Sequence, residues 1–380
     1  MQPLFAEHLH VGRPNVGDRG RFLDRINGAL DRLWLANNGP LVQEFEAQVA
    51  AVAQARYCVP VANATVGLQI AAKAAGIGPG DEVIVPSFTS PATPHAMEWI
   101  GAVPIFADVD TETVTLDPQH VERLITPRTK AIIGVHVFGR PCHIDELSAL
   151  ADQHGLILLF DAAQALGCTY HGRPIGGFGD AEIFSFHATK YLNSFEGGAI
   201  VTNDPDLAEA ARAMRNLGLD EHREQTYLGI NGRMTEASAA MGLTSLESMQ
   251  DFIDVNRRNA MLYQDGLAGV PGVTLRRQAP GERANHQYVV IETDARDAVH
   301  DLLLEHNVLS RKYFYPGCHD IEPYRSKRSR HTPLPLPRTE ALCDRVLSLP
   351  TGTSIGPAEI AGICDIIRTA CRPLRQRLAA

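Results

Sequence analysis

Residues 156–164 read LILLFDAAQ. From Leu156 to Phe160 every residue is apolar, and Asp161 follows at once. A strand with one wet face alternates apolar and polar residues, whereas a strand covered on both faces does not. The run Ala131–Val135 (AIIGV) has the same texture. Working outward, Tyr57–Val61, Glu82–Val85, Val103–Ala107, Ile183–Phe186 and Ala199–Thr202 also read as strands. Helical spacing at Val66–Ala75, Pro91–Trp99, Pro118–Leu124, Ile144–Gln153 and Pro205–Leu217 fills the intervals. Covered strands that alternate with helices predict an α/β domain: three α/β/α layers around a mostly parallel, seven-stranded sheet.

Before this core, residues 1–55 read as an extended arm and two helices, Asp24–Leu35 and Leu41–Ala53, separated by Asn37-Asn38-Gly39-Pro40. After it, a helical stretch over Thr235–Gln264 leads out, and the loop Pro271–Asn285 marks a boundary. Then come a strand at His286–Glu292, a helix at Ala295–His306, a strand at Leu309–Tyr315, a proline-rich loop at His331–Pro337 and a closing helix at Ile360–Leu378. The expected division is an arm plus large domain over 1–245, and a linker helix plus a smaller α+β domain over 246–380.

The chain has 380 residues, 44% of them hydrophobic, enough for a large core. A net charge of −9 argues against a general nucleic-acid or anionic-membrane role, while leaving room for a local basic pocket. The seven cysteines are scattered, with no CxxC pair and no zinc-like spacing, so a reduced, cytoplasmic setting and no metal are expected. The first residues show no secretion signal, and no apolar run is long enough for a membrane span.

In open parallel sheets, ligands sit outside the carboxyl ends of the strands. Lys190 is one of five lysines and alone follows a covered strand, in a loop closed by Gly197-Gly198. It reads as an amine nucleophile with a desolvated, lowered pKa, or as a surface lysine. Asp161 reads as a partner for a pyridinium N–H, or as a helix cap. Gln164, one turn on, has a donor for a phenolic oxygen. Asn63-Ala64-Thr65 opens a helix, which suits a phosphate or a plain N-cap. Phe88 follows a strand end and reads as a stacking ring or a core residue, and Ser185 lies near enough to reach a phosphate. Singly these are weak signals. Together they make up a pyridoxal phosphate (PLP) site: phosphate cup, ring cover, acid for the ring nitrogen and lysine for the aldehyde.

The stretches PSFTSPATPHAMEWIGAVPIFADVD, DAAQALG, FSFHATKYLNSFEGGAIVTND and NGRMTEASAA resemble the DegT/DnrJ/EryC1/StrS family of sugar aminotransferases over roughly residues 20–325. WLANNGP and KYFYPGCH are similar to the branch that aminates C4 of nucleotide-linked 4-keto-6-deoxy sugars, the dTDP-4-amino-4,6-dideoxyglucose transaminases. The resemblance implies a PLP fold-type I enzyme with pyridoxal 5′-phosphate on Lys190 as a Schiff base. Asp161 would meet the pyridine nitrogen, Gln164 the ring hydroxyl and Phe88 the ring face. Ala64, Thr65 and Ser185 would hold the phosphate. Asn231 would reach the phosphate of the neighbouring subunit, which implies a homodimer with shared sites. His319 would lie near the sugar, with Tyr315 and Asn38 as further substrate contacts. The common Ser-Gly-Thr phosphate motif reads Asn63-Ala64-Thr65 here.

The expected reaction moves the amino group of L-glutamate to C4 of dTDP-4-keto-6-deoxy-D-glucose, for an antibiotic or a surface glycan. C3 amination stays open. The lysine disfavours the dehydratases of the family, which carry histidine there. Other readings are a desulfurase using Cys318 and a non-catalytic PLP-binding regulator. The basic loop Arg325–Arg330 reads as a diphosphate contact or a solvated surface.

Overall fold

The computed structural model describes residues 2–220, 222–277 and 281–371. The large sheet is built from β1 (Tyr57–Val61), β2 (Glu82–Pro86), β3 (Val103–Ala107), β4 (Thr129–Val135), β5 (Ile157–Asp161), β6 (Ala181–Ser185) and β7 (Gly198–Thr202). Their spatial order is β1-β7-β6-β5-β4-β2-β3. Strands β2 to β6 run parallel, while β7 is antiparallel to both of its neighbours. Strand β3 lies to one side of β2, and β4 returns to the other side. The order reverses there, and such a switch point opens a crevice at the carboxyl ends.

The apolar texture of β5 has its cause in the two layers. Leu158 and Phe160 join one core with helices α1 (Arg19–Arg32), α2 (Pro40–Ala53), α6 (Ile144–His154) and α8 (Glu236–Glu247). Leu159 joins the opposite core with α3 (Ala64–Ala74), α4 (Ala92–Trp99) and α7 (Pro205–Met214). Helix α5 (Pro118–Leu124) lies on the first face.

The smaller unit follows α9 (Met249–Gly266). A three-stranded antiparallel sheet, in the order β8 (Val273–Leu275), β9 (Val289–Thr293), β10 (Val346–Leu349), shares a core with α9, α10 (Arg296–Glu305) and α12 (Pro357–Cys371). Helix α11 (Pro337–Arg345) precedes β10. The two units exchange chain. Residues Leu9–His10 pair with Val308–Leu309 of the smaller unit, and Phe5 packs on its core. In the other direction, Cys318, Tyr324 and Leu336 sit in the core of the large unit, and His331 Nδ1 meets the Pro104 carbonyl at 2.8 Å.

Three expectations change. The helical stretch over Thr235–Gln264 is two helices that break at Ser248. The strand expected over Leu309–Tyr315 ends at Leu309, because the chain then folds into a turn where Tyr315 N–H donates to the Lys312 carbonyl at 2.7 Å. The closing helix ends its described part at Cys371, and the rest of that expectation lies outside the described residues, as do residues 278–280 of the boundary loop.

One contact links the Asn37–Pro40 turn to α8. Gly39 caps α2 with no side chain, so the N–H groups of Leu41 and Val42 donate to the buried Glu236 carboxylate at 3.0 and 2.9 Å. A Cβ on Gly39 would stand 2.6 Å from Glu236 Cδ, which explains the glycine. Hydrogen bonds to a buried charge are worth ~1.5–3 kcal/mol. Glu236→Ala should therefore lower the unfolding free energy by that amount, read by circular dichroism as a lower denaturant midpoint with no change in the slope of the transition.

Candidate active site

The carboxyl ends of β4, β5 and β6 stand in register, with Val135 beside Asp161 and Asp161 beside Ile183. A cavity of 600 Å³ lies over them. It is lined by Ala64, Thr65, Asp161, Gln164, Ser185 and Lys190, six of the residues singled out by sequence.

Helix α3 points its N-terminus at this space. Asn63 Oδ1 accepts the Val66 N–H at 2.9 Å, so the asparagine is the cap. The N–H groups of Ala64 and Thr65 have no intrahelical partner and line the cavity, with the positive end of the helix dipole behind them. The Asn63 cap thus leaves these two N–H groups open to an anion, so the two readings are compatible. Gly198 makes the close approach possible: a Cβ there would meet Ala64 N and Asn63 C at 2.7 Å.

Lys190 is half-buried and faces the cavity. Burial lowers its pKa, and Asp161 and Tyr313 act in the opposite sense. Among the described residues its Nζ makes no hydrogen bond or ion pair. Asp161 is 4% exposed. Its Oδ1 accepts the Ala163 N–H at 3.1 Å and its Oδ2 the Thr93 hydroxyl at 2.6 Å. Gln164 Oε1 accepts the Phe138 N–H at 2.5 Å, which orients the amide and leaves its NH₂ as donor. This donor set fits PLP: two helix N–H groups and the hydroxyls of Thr65 and Ser185 for a phosphate, a buried carboxylate for a ring N–H, an amide donor and a free amine.

Phe88 is corrected. It does not line the cavity; it is 1% exposed and packs edge-on against Phe138 and Phe314, at 6.0 and 5.5 Å between centroids. The strand ends at Pro86, and the bend that follows places the Phe88 ring in a core cluster, while its neighbours Thr89 and Ser90 line the space instead. The aromatic wall comes from the smaller unit: Tyr288, Tyr313 and Phe314, with Tyr313 stacked on Phe314 at 5.2 Å. Burial raises the phenol pKa of Tyr313, and that of Tyr288 to about 12. Sequence reading missed this wall, although KYFYP carries two of its rings. It also missed His136, which lines the cavity, stacks on Phe160 at 5.0 Å and faces Glu182 at 3.6 Å.

Four expected residues lie outside this cavity. His319 is buried, with Nδ1 on Ser87 Oγ at 2.6 Å and Nε2 3.4 Å from Glu340. Tyr315 is exposed, with the Arg296 guanidinium 4.7 Å over its ring. Asn38 lines a second, 670 Å³ cavity with Arg212, Arg215, Arg223 and Arg233, and accepts from Arg215 at 3.1 Å. Asn231 is exposed and accepts from Arg233 Nε at 3.1 Å. Cys318 is 2% exposed, its thiol pKa is raised by burial, and its Sγ–H donates to the Thr89 carbonyl at 3.3 Å; a buried thiol held this way is unsuited to desulfurase chemistry. Arg325 and Arg328 of the basic loop pair with Glu322 and Glu340, and no residue of that loop lines the cavity. Among the described residues no cluster suits a metal ion, and no helix is long and apolar enough to cross a membrane.

Residues 18–368 match the model of the DegT/DnrJ/EryC1/StrS aminotransferase family. The chain is 37% identical to the dTDP-3-amino-3,4,6-trideoxy-alpha-D-glucose transaminase of Streptomyces venezuelae, over 87% of each protein. It is 32% identical to the dTDP-4-amino-4,6-dideoxy-D-glucose transaminase of Escherichia coli, over 94% of this chain and 98% of that one. Among solved structures, DesI in the presence of its TDP-sugar product superposes with a TM-score of 0.94 at 50% identity, over 99% of this chain and 96% of that one. Sheet order, strand-end cavity and these matches agree: the chain belongs to the DegT/DnrJ/EryC1/StrS aminotransferase family, as a PLP-dependent sugar aminotransferase of nucleotide-linked deoxyamino-sugar biosynthesis.

Proposed function

We propose that this enzyme transfers the amino group of L-glutamate to C4 of dTDP-4-keto-6-deoxy-D-glucose in the cytoplasm, giving dTDP-4-amino-4,6-dideoxy-D-glucose. The observation that carries this reading is the 50% identity, over nearly the whole chain, to a protein solved with its TDP-sugar product. The Escherichia coli relative supports the C4 position. The Streptomyces venezuelae relative favours a second reading, C3 amination.

When bound, PLP supplies an electron sink for the carbanion that develops at the carbon losing its proton. The chain's own residues do the rest. Ala64, Thr65 and Ser185 would hold the phosphate, Asp161 would pair with the ring nitrogen and Gln164 would donate to the ring hydroxyl. Lys190 carries the cofactor between turnovers. Once released, its amine moves a proton on one face of the bound amino acid or sugar, aided by a pKa that burial has lowered. The test is product analysis: with PLP, L-glutamate and dTDP-4-keto-6-deoxy-D-glucose, NMR should show nitrogen at C4. Amination of a 3-keto isomer alone would overturn the reading.

A homodimer with shared sites is part of the proposal. The segment bearing Asn231 also exposes Leu217, Leu228 and Ile230, and the turn bearing Asn38 exposes Leu33, Trp34 and Leu35. Two apolar stretches beside polar groups that do not reach their own cavity suit an interface that completes a neighbouring subunit's phosphate cup. Sedimentation equilibrium should give twice the chain mass, and Asn231→Ala should weaken PLP binding roughly tenfold. A fully active monomer would refute the shared site.

A further inference from the structure

Thr93 lies in the first turn of α4 and is fully buried, with no exposure to the cavity. Its Oγ1 donates to Asp161 Oδ2 at 2.6 Å and lies 3.0 Å from Thr89 Oγ1. A hydroxyl has one proton to give. Thr93 commits its proton to the carboxylate, so the Thr89–Thr93 bond runs with Thr89 as donor. The chain of hydroxyls thus has a fixed direction, Thr89 to Thr93 to Asp161. Thr89 lines the cavity, so the relay runs from the cavity wall to the hidden side of the carboxylate.

We infer that Thr93, set by Thr89, is a positioning residue that holds the Asp161 carboxylate in the orientation the pyridine nitrogen needs. The inference rests on the assignment of Asp161 to that nitrogen. Of the two groups that bond the carboxylate, the Ala163 N–H follows from the turn after β5, as it would with any residue there. The Thr93 hydroxyl comes from a separate element, helix α4, and among the described residues is the one side-chain donor, so there it alone ties the carboxylate to the crevice wall. A short charge-assisted bond of this kind restrains rotation of the carboxylate. Without it, Asp161 would hold the ring nitrogen less firmly, and the absorbance of the bound cofactor would titrate at higher pH.

The test compares Thr93→Val, which keeps shape and loses the hydroxyl, with Thr93→Ala and Thr93→Ser. Each is purified as holoenzyme, and the visible absorbance of the bound cofactor is titrated against pH. Thr93→Val and Thr93→Ala should both shift the titration midpoint upward. They should also weaken PLP binding and slow the glutamate half-reaction roughly ten- to a hundredfold. Thr93→Ser should keep the wild-type midpoint. Valine keeps the packing and alanine leaves space, so a shift they share and serine lacks belongs to the hydroxyl. A wild-type midpoint in Thr93→Val or Thr93→Ala, or an equal shift in all three, overturns the inference. Asp161→Asn run alongside separates the failures: if it shifts the spectrum and Thr93→Val does not, only the relay is wrong; if neither does, the assignment of Asp161 is wrong as well.

Discussion

Lys190→Ala is expected to abolish turnover, by at least ~10⁴-fold. Two proposed roles fall together, because the same amine would carry the cofactor and move the proton. No second amine can stand in: among the residues lining the cavity, Lys190 is the one lysine. The variant should fold, since its Nζ makes no hydrogen bond or ion pair among the described residues, and added PLP should still bind through the phosphate cup. It should then pass through at most one half-reaction, read as a single burst without cycling; multiple turnovers at near wild-type rate would remove Lys190 from the mechanism. The wild-type amine should also show its environment in pH. A lowered pKa means that the neutral, nucleophilic form predominates at lower pH than for an ordinary lysine. The rate at which apo-protein captures PLP should rise with pH and level off earlier than for a surface lysine, measured by stopped-flow absorbance.

Asp161→Asn is expected to cost roughly 10²–10³ in kcat, the range seen when one preorganised electrostatic partner of a transition state is removed. Asparagine is nearly the same size, so packing at the end of β5 is preserved. What is lost is the negative charge that we propose faces the ring nitrogen. Asparagine can also turn its NH₂ toward Thr93, which disrupts the bond now made there. The loss should appear in kcat for both half-reactions, because both need the same electron withdrawal, and the absorbance of bound PLP should titrate at higher pH. A variant within threefold of wild type in kcat would show that the carboxylate is no more than a structural acceptor.

The large sheet was legible because covered strands leave a plain signature. The run at Leu156–Phe160 reads as continuous apolar residues since its side chains feed two cores in turn. The smaller unit was harder. β10 is four residues, VLSL, after a polar helix, and nothing in so short a run separates a strand from the helix end. In the site, Ala64, Thr65, Asp161, Gln164, Ser185 and Lys190 came together because parallel topology puts strand ends on one edge. Phe88 shows where that logic stops: it locates a residue at a strand end but does not say which way the chain turns there. Thr93 was hidden for a different reason. A threonine in the first turn of a helix carries no mark of what its hydroxyl meets, and its partner is 68 positions away.

The exchange of chain between the two units bears on how the protein folds. Leu9–His10 cannot find their partners until Val308–Leu309 exist, and Cys318, Tyr324 and Leu336 fill a core whose other buried residues all precede 215. Neither half of the sequence is thus a complete cooperative unit. The first half leaves the ribosome lacking side chains its own core requires, with apolar surface waiting on segments still to be made. Contacts of this span also raise the contact order, which slows the search for the native state. The same interlacing lays the Tyr313–Phe314 wall against the strand ends, so the catalytic cavity is finished only when the last segments of the chain have docked.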